Sequence, residues 1–144
     1  MILGSEAETA AAGAAAARSA RGGDVITLSG PLGVGKTAFA RGFIAELGHE
    51  GEVPSPSFAI VQPYDDVDPP VWHVDLFRID NSGELDELGL DAAADGVLLV
   101  EWPDKANNRM WSQALGLTLE FGEGTARRLT ANVPPSWQSR WPLQ

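Results

Sequence analysis

Gly30-Pro31-Leu32-Gly33-Val34-Gly35-Lys36-Thr37 is the stretch that decides how this chain folds. It fits the pattern G-x-x-x-x-G-K-[ST]. At average residue frequencies the chance of such a match in a chain this long is roughly 0.5%. Before it, Asp24-Val25-Ile26-Thr27-Leu28-Ser29 is a short, β-branched apolar run that reads as a buried strand. After it, residues 36–47 place Phe39, Phe43, Ile44 and Leu47 at helical core spacing and stop at Gly48. Strand, glycine-rich turn and helix in that order form the setting in which such a loop cradles phosphate. Glycines let the main chain curl so that successive N–H groups point inward, and the helix N-terminus adds about half a positive charge. In this arrangement Lys36 bridges phosphate oxygens and the Thr37 hydroxyl ligates Mg²⁺. Pro31, Leu32, Gly33, Val34, Gly35 and Ala38 complete the cradle. The expected ligand is ATP with Mg²⁺.

Working outward, residues 5–21 form an alanine-rich segment of high helix propensity. Ser5 and Glu8 fit a capping box, and Gly22-Gly23 a stop. Residues 50–57, with Pro54 and Pro56, read as an ordered loop in the place where nucleotide switches sit. A hydroxyl or main-chain group of Ser57 is a candidate contact to the γ-phosphate or Mg²⁺. Residues 58–64 and 71–77 read as strands joined by an acidic turn, residues 82–90 as a short acidic helix, and Val97-Leu98-Leu99-Val100 as a strand covered on both faces. Residues 115–121 and 128–133 alternate and are expected to pair antiparallel, and residues 134–144 read as an irregular tail. The predicted fold is α/β: a single-domain P-loop NTPase over residues 1–133, a three-layer sandwich with a mixed, mostly parallel sheet and an antiparallel C-terminal extension.

A phosphate loop of this kind needs a carboxylate at the end of a neighbouring strand. Two strands end suitably. Glu101 follows four apolar residues, and a charge ending a doubly covered strand is costly unless it meets a cation. Asp75 ends Val71-Trp72-His73-Val74, and His73 on the same sheet face reads first as a satisfied structural histidine, with orienting that acid or sensing the γ-phosphate as the alternatives. The sequence leaves open which acid activates water.

The net charge of −10 repels a phosphate backbone, and with only two lysines and scattered arginines the chain offers no basic stripe. Direct strong nucleic-acid binding is therefore not expected. No run of about 18 apolar residues suggests a membrane span, and the acidic N-terminal residues Glu6 and Glu8 argue against secretion. Cysteine is absent, which suits a reducing cytosol, so a cytoplasmic location is expected. A guanine-reading N/T-K-x-D motif is missing: Lys105 lies in Asp104-Lys105-Ala106-Asn107, which leaves adenine favoured. The chain also lacks the arginine-rich lid of a small-molecule kinase.

Taken together, Leu32-Gly33-Val34-Gly35-Lys36-Thr37 with Arg41-Gly42-Phe43, Ser55-Pro56-Ser57-Phe58, His73-Val74-Asp75-Leu76-Phe77-Arg78 and Leu99-Val100-Glu101-Trp102-Pro103 resemble, in order, the TsaE (YjeE) family of bacterial tRNA threonylcarbamoyladenosine biosynthesis ATPases. The resemblance covers residues 5–133. It implies an ATPase that does not itself modify tRNA. Such a protein binds the TsaD–TsaB complex and hydrolyses ATP, slowly alone and faster with its partners, to sustain threonylcarbamoyl transfer to adenosine 37 of tRNAs reading ANN codons. It further implies that Lys36, Asp75 and Glu101 carry catalysis, Thr37 and Glu101 hold the metal, Glu6 lies near the nucleotide, and Trp102 lies near the nucleotide or the partner surface. The segment 5–9, from Ser5 to Thr9, resembles the stretch beside the adenine. Three departures stand out: Pro31 where the family usually has an acid, Thr125 where some relatives place an arginine (with Arg127 or Arg128 as substitutes), and the Trp-containing tail. A nucleotide-controlled interaction module and a small-molecule kinase are the competing functional readings.

Overall fold

The computed structural model describes residues 1–56, 60–79, 95–105 and 113–141. Strands β1 (Ile2–Leu3), β2 (Val25–Ser29), β3 (Val61–Tyr64), β4 (Val71–Asp75), β5 (Val97–Glu101), β6 (Leu115–Phe121) and β7 (Arg127–Asn132) join in one mixed sheet of order β1-β7-β6-β2-β5-β4-β3. The central block β6-β2-β5-β4 is parallel. Antiparallel pairs flank it on both sides: β7 and β1 beyond β6, and β3 beyond β4. The antiparallel β6–β7 extension expected from the sequence is present. The expected helix at 82–90, Ser57 and the start of the strand at 58–64 lie outside the described residues.

Helices α1 (Glu6–Ser19) and α2 (Lys36–Glu46) pack on one face of the sheet. Ser5 caps α1, its hydroxyl accepting from the Glu8 N–H at 3.2 Å. The buried residues of α1 are all small: Thr9, Ala12, Gly13, Ala16 and Ala17, at the 3–4 spacing of one helical face. The two helices approach so closely that a Cβ on Gly42 would sit 1.9 Å from Ala10 O, and one on Gly13 would sit 2.0 Å from Phe39 O. The alanine run is thus a close-packing surface as well as a good helix former. Beneath the helices lie Ile26, Leu28, Phe39, Phe43, Ile44, Leu99, Leu115, Leu117 and Leu119, all fully buried. Val74, Leu76, Leu98 and Val100 form a second cluster on the opposite face.

Strand alternation sorts the polar residues. On β5, Leu98 and Val100 face the second cluster, so Leu99 and Glu101 face the helices. His73 and Asp75 on β4 share that face, in register with Leu99 and Glu101. The sequence predicts β4 to run to Phe77, but it stops at Asp75. There the carboxylate accepts from the Phe77 N–H at 2.9 Å and folds the chain into a turn. β3 begins only at Val61 because Ile60 adopts φ 67. Pro63 is tolerated because β3 is an edge strand. The segment after Val133, expected to be irregular, contains a 3-10 turn at Pro135–Trp137 and seats Trp137 in the main core. Trp141 packs against the same core.

Candidate functional site

The parallel strands direct their C-terminal ends towards the loop between β2 and α2, where ligands of open α/β sheets bind. That loop winds through glycines at φ 145 (Gly30), 79 (Gly33) and 120 (Gly35), values that residues with a Cβ adopt only under strain. The turn delivers Lys36 and Thr37 as the first two residues of α2. Lys36 is buried. Its ammonium donates to Gly30 O and to Pro31 O (3.3 Å) and lies 3.4 Å from the centroid of the Trp102 indole. Burial pushes the Lys36 pKa below its ordinary value, against the opposing pull of Glu101, Asp75 and Asp104.

The Thr37 hydroxyl lies 3.2 Å from each oxygen of Glu101, so the first turn of α2 meets the end of β5. Glu101 is itself buried, and its Oε2 is 2.7 Å from His73 Nε2. Neither orientation of His73 towards Asp75 or the γ-phosphate is found, and it is not a fully satisfied structural histidine: Nε2 bonds Glu101 while Nδ1 has no partner among the described residues. Asp75 is Glu101's cross-strand neighbour. Its carboxyl is pushed above the usual range by burial first and by Glu101's charge to a lesser degree, opposed by the Phe77 N–H bond, His73 and Lys36. Two acids and one lysine therefore share a poorly solvated space. The next residue, Trp102, sits at φ 60, a costly conformation for a bulky side chain and one that lets the indole turn back over Lys36.

A cavity of about 440 Å³ opens over these groups, a volume suited to a nucleotide-sized ligand. Glu6, Leu32, Gly33, Val34, Gly35, Lys36, Thr37, Ala38, Asp75, Glu101 and Trp102 all line it, as the sequence reading requires. Pro31 does not; only its carbonyl takes part, receiving Lys36. Ser57 lies outside the described residues, while its neighbour Ser55 is on the cavity wall. Arg41 and Phe77 line the cavity without a role assigned from sequence, and Thr9, the end of the segment 5–9, lines it as well. Arg41 stands one helical turn after Thr37, the spacing that would have revealed it. Of the two arginines offered as substitutes near the nucleotide, Arg127 reaches the wall and donates to Val34 O at 3.0 Å. Thr125 also lines the cavity, and its hydroxyl donates to Gly4 O at 2.7 Å.

Comparison with known proteins meets this geometry independently. The model of the family described as threonylcarbamoyl adenosine biosynthesis protein TsaE matches residues 3–129. The chain belongs to the TsaE family. The TsaE of Bacillus subtilis (strain 168) is 37% identical over 125 residues, which cover 85% of this chain and 78% of that protein. The TsaE of Streptomyces coelicolor is 36% identical over 112 residues, covering 75% and 76% respectively. Both carry the name tRNA threonylcarbamoyladenosine biosynthesis protein. The crystal structure of YdiB from B. subtilis superposes with a TM-score of 0.78 at 30% identity, covering 96% of this chain and 87% of that one. The α/β fold is therefore that of TsaE-family proteins. Among the described residues, no helix is long and apolar enough to cross a membrane.

Proposed function

We propose that this chain binds Mg²⁺–ATP at the loop 30–37 and hydrolyses it, in the cytoplasm, to support threonylcarbamoyl transfer to adenosine 37 of tRNA by a TsaD–TsaB complex. The observation that carries this reading is the meeting of Lys36, Thr37 and Glu101 at one end of the parallel strands, with the Thr37 hydroxyl 3.2 Å from both Glu101 oxygens. The donor set suits magnesium: a hydroxyl and a carboxylate are hard oxygen ligands, and in phosphate sites Mg²⁺ takes few protein ligands and keeps waters. In keeping with that, no cluster of three His, Cys, Asp or Glu able to cage a metal occurs among the described residues. When bound, Mg²⁺ would supply charge neutralisation at the phosphoryl oxygens.

The protein's own part follows from its side chains. Lys36 offers a cation short of solvent beside the amide cradle, where its charge counts for more than it would in water. Thr37 and Glu101 would hold the metal. Asp75, with a carboxyl pushed above its usual range by burial, is placed to accept a hydrogen bond from the attacking water. Glu6 and Thr9, at the start of α1, also line the cavity, and the segment they belong to is assigned to the adenine end of the nucleotide. Both described arginines of the cavity are already tied to main-chain carbonyls: Arg41 to Val53 O at 2.8 Å, and Arg127 to Val34 O. An arginine aimed at a transferring phosphoryl group is worth about 10³–10⁵ in rate. Slow turnover alone and acceleration by the partner complex follow. A net charge of −10 fits a protein that acts on proteins rather than gripping tRNA directly.

ATP turnover of the wild type and Lys36→Ala, with and without the TsaD–TsaB complex, tests the reading. Free phosphate should form slowly, rise several-fold or more on adding the complex, and vanish in the variant. Equal turnover with and without the complex, or phosphate transferred to an added small-molecule acceptor, would contradict it.

A further inference from the structure

His73 stands out among the buried polar groups because nothing above gives it a task. The ring is completely buried on β4. It reaches diagonally to the end of β5, where Nε2 lies 2.7 Å from Glu101 Oε2. Its Nδ1 has no hydrogen-bond partner among the described residues. The contact with a carboxylate requires a hydrogen on Nε2. A hydrogen on Nδ1 would bury an unsatisfied donor and set a bare nitrogen against a carboxylate, whereas a hydrogen on Nε2 donates to Glu101 and leaves only a lone pair unmatched. The Thr37 hydroxyl has one proton to share between two oxygens, both at 3.2 Å. The imidazole contact is the shorter one, and it fixes which way the carboxylate faces.

We propose that His73 is a positioning residue for the divalent cation. By donating from Nε2 to Glu101 Oε2 it holds that carboxylate against the Thr37 hydroxyl, and so sets the Mg²⁺ affinity of the site. This rests on the reading of Thr37 and Glu101 as the magnesium ligands. A histidine kept only for packing would be replaceable by an apolar side chain of similar volume without effect on cation binding. Outer partners of metal ligands typically change metal affinity by about 10–100-fold when removed.

The test is calorimetric titration of ATP binding across a range of Mg²⁺ concentrations, with a parallel titration in EDTA, for the wild type, His73→Leu, His73→Asn and His73→Gln. Glutamine places its amide nitrogen near the position of imidazole Nε2, whereas asparagine places its own near Nδ1, out of reach of Glu101. His73→Leu and His73→Asn should therefore need about tenfold or more Mg²⁺ for half-saturation, and His73→Gln should recover most of the loss. Affinity in EDTA should not change. If His73→Leu does not fold, the contrast between asparagine and glutamine decides. A wild type whose ATP binding is Mg²⁺-dependent, matched by His73→Leu or by His73→Asn, overturns this inference alone. A wild type with no Mg²⁺ dependence overturns the magnesium reading beneath it as well.

Discussion

The two ends of β2 both bury charge, and they treat it in opposite ways. Just before the strand, Asp24 receives Arg140 through two parallel bonds, Nη1 to Oδ2 at 2.7 Å and Nη2 to Oδ1 at 3.0 Å. It also accepts the Arg21 N–H at 2.7 Å. Arg140 donates to Ser19 O and Ser136 O as well, and stacks on Trp137 with its guanidinium 3.9 Å from the ring centroid. Every charge there has its partner, in the bidentate geometry that arginine favours. Just beyond the strand, two carboxylates and one ammonium are gathered with less complete matching: Glu101 has His73 and Thr37, but Lys36 and Asp75 lack an ion-pair partner of that kind. Lys36 faces main-chain carbonyls and an indole, Asp75 is held by one N–H, and the pKa values of both are displaced by burial. Matched charge at one end ties the chain together. Unmatched charge at the other is what the proposed Mg²⁺–ATP would complete.

Breaking the matched end should have the largest effect on stability. Arg140→Ala leaves Asp24 buried without its cation and strips the covering from Trp137. A loss of about 3–5 kcal/mol is expected, read as a lowered denaturation midpoint. Mg²⁺–ATP binding by the fraction still folded should persist, since the clasp lies at the far end of the strand. An unchanged midpoint would mean that the segment after Val133 is an appendage.

A smaller effect, of opposite sign, is expected at the unmatched end. Asp75→Asn removes a desolvated charge while keeping an oxygen for the Phe77 N–H. A carboxyl whose folded pKa is raised contributes most stability below its unfolded value and loses it as pH rises through the folded one. The variant should therefore melt higher than the wild type near neutral pH, and the gap should close as the pH is lowered. Hydrolysis should fall at the same time, the trade expected where function keeps a site strained. Thermal melts over a pH series together with phosphate release would check this. A variant less stable than the wild type at neutral pH would show that Asp75 is well satisfied as it stands.

Much of this was legible because it is local. The loop 30–37, the helix after it and the apolar strand ending in Glu101 each carry their signal within a few consecutive residues, and the structure places them as those signals require. What escaped depends on register or on distant contacts. His73 shares a face with Asp75, as period-two alternation says, but its bond crosses diagonally to Glu101, and only the β4–β5 pairing supplies that. The end of β4 at Asp75 depends on a side chain capturing a main-chain N–H. The burial of Trp137 depends on Arg140 meeting a residue 116 positions away. β1 escaped because it has only two residues, Ile2–Leu3, too few to show a pattern, and forms by pairing with β7.

The most direct test of the central claim, that Lys36, Thr37 and Glu101 form a magnesium–triphosphate site, is isothermal calorimetry of the purified protein with Mg²⁺–ATP beside Lys36→Ala. A saturable heat from the wild type that disappears in the variant, with both melting alike, is the expected result. No saturable heat at millimolar nucleotide, or the same heat from both proteins, would contradict it.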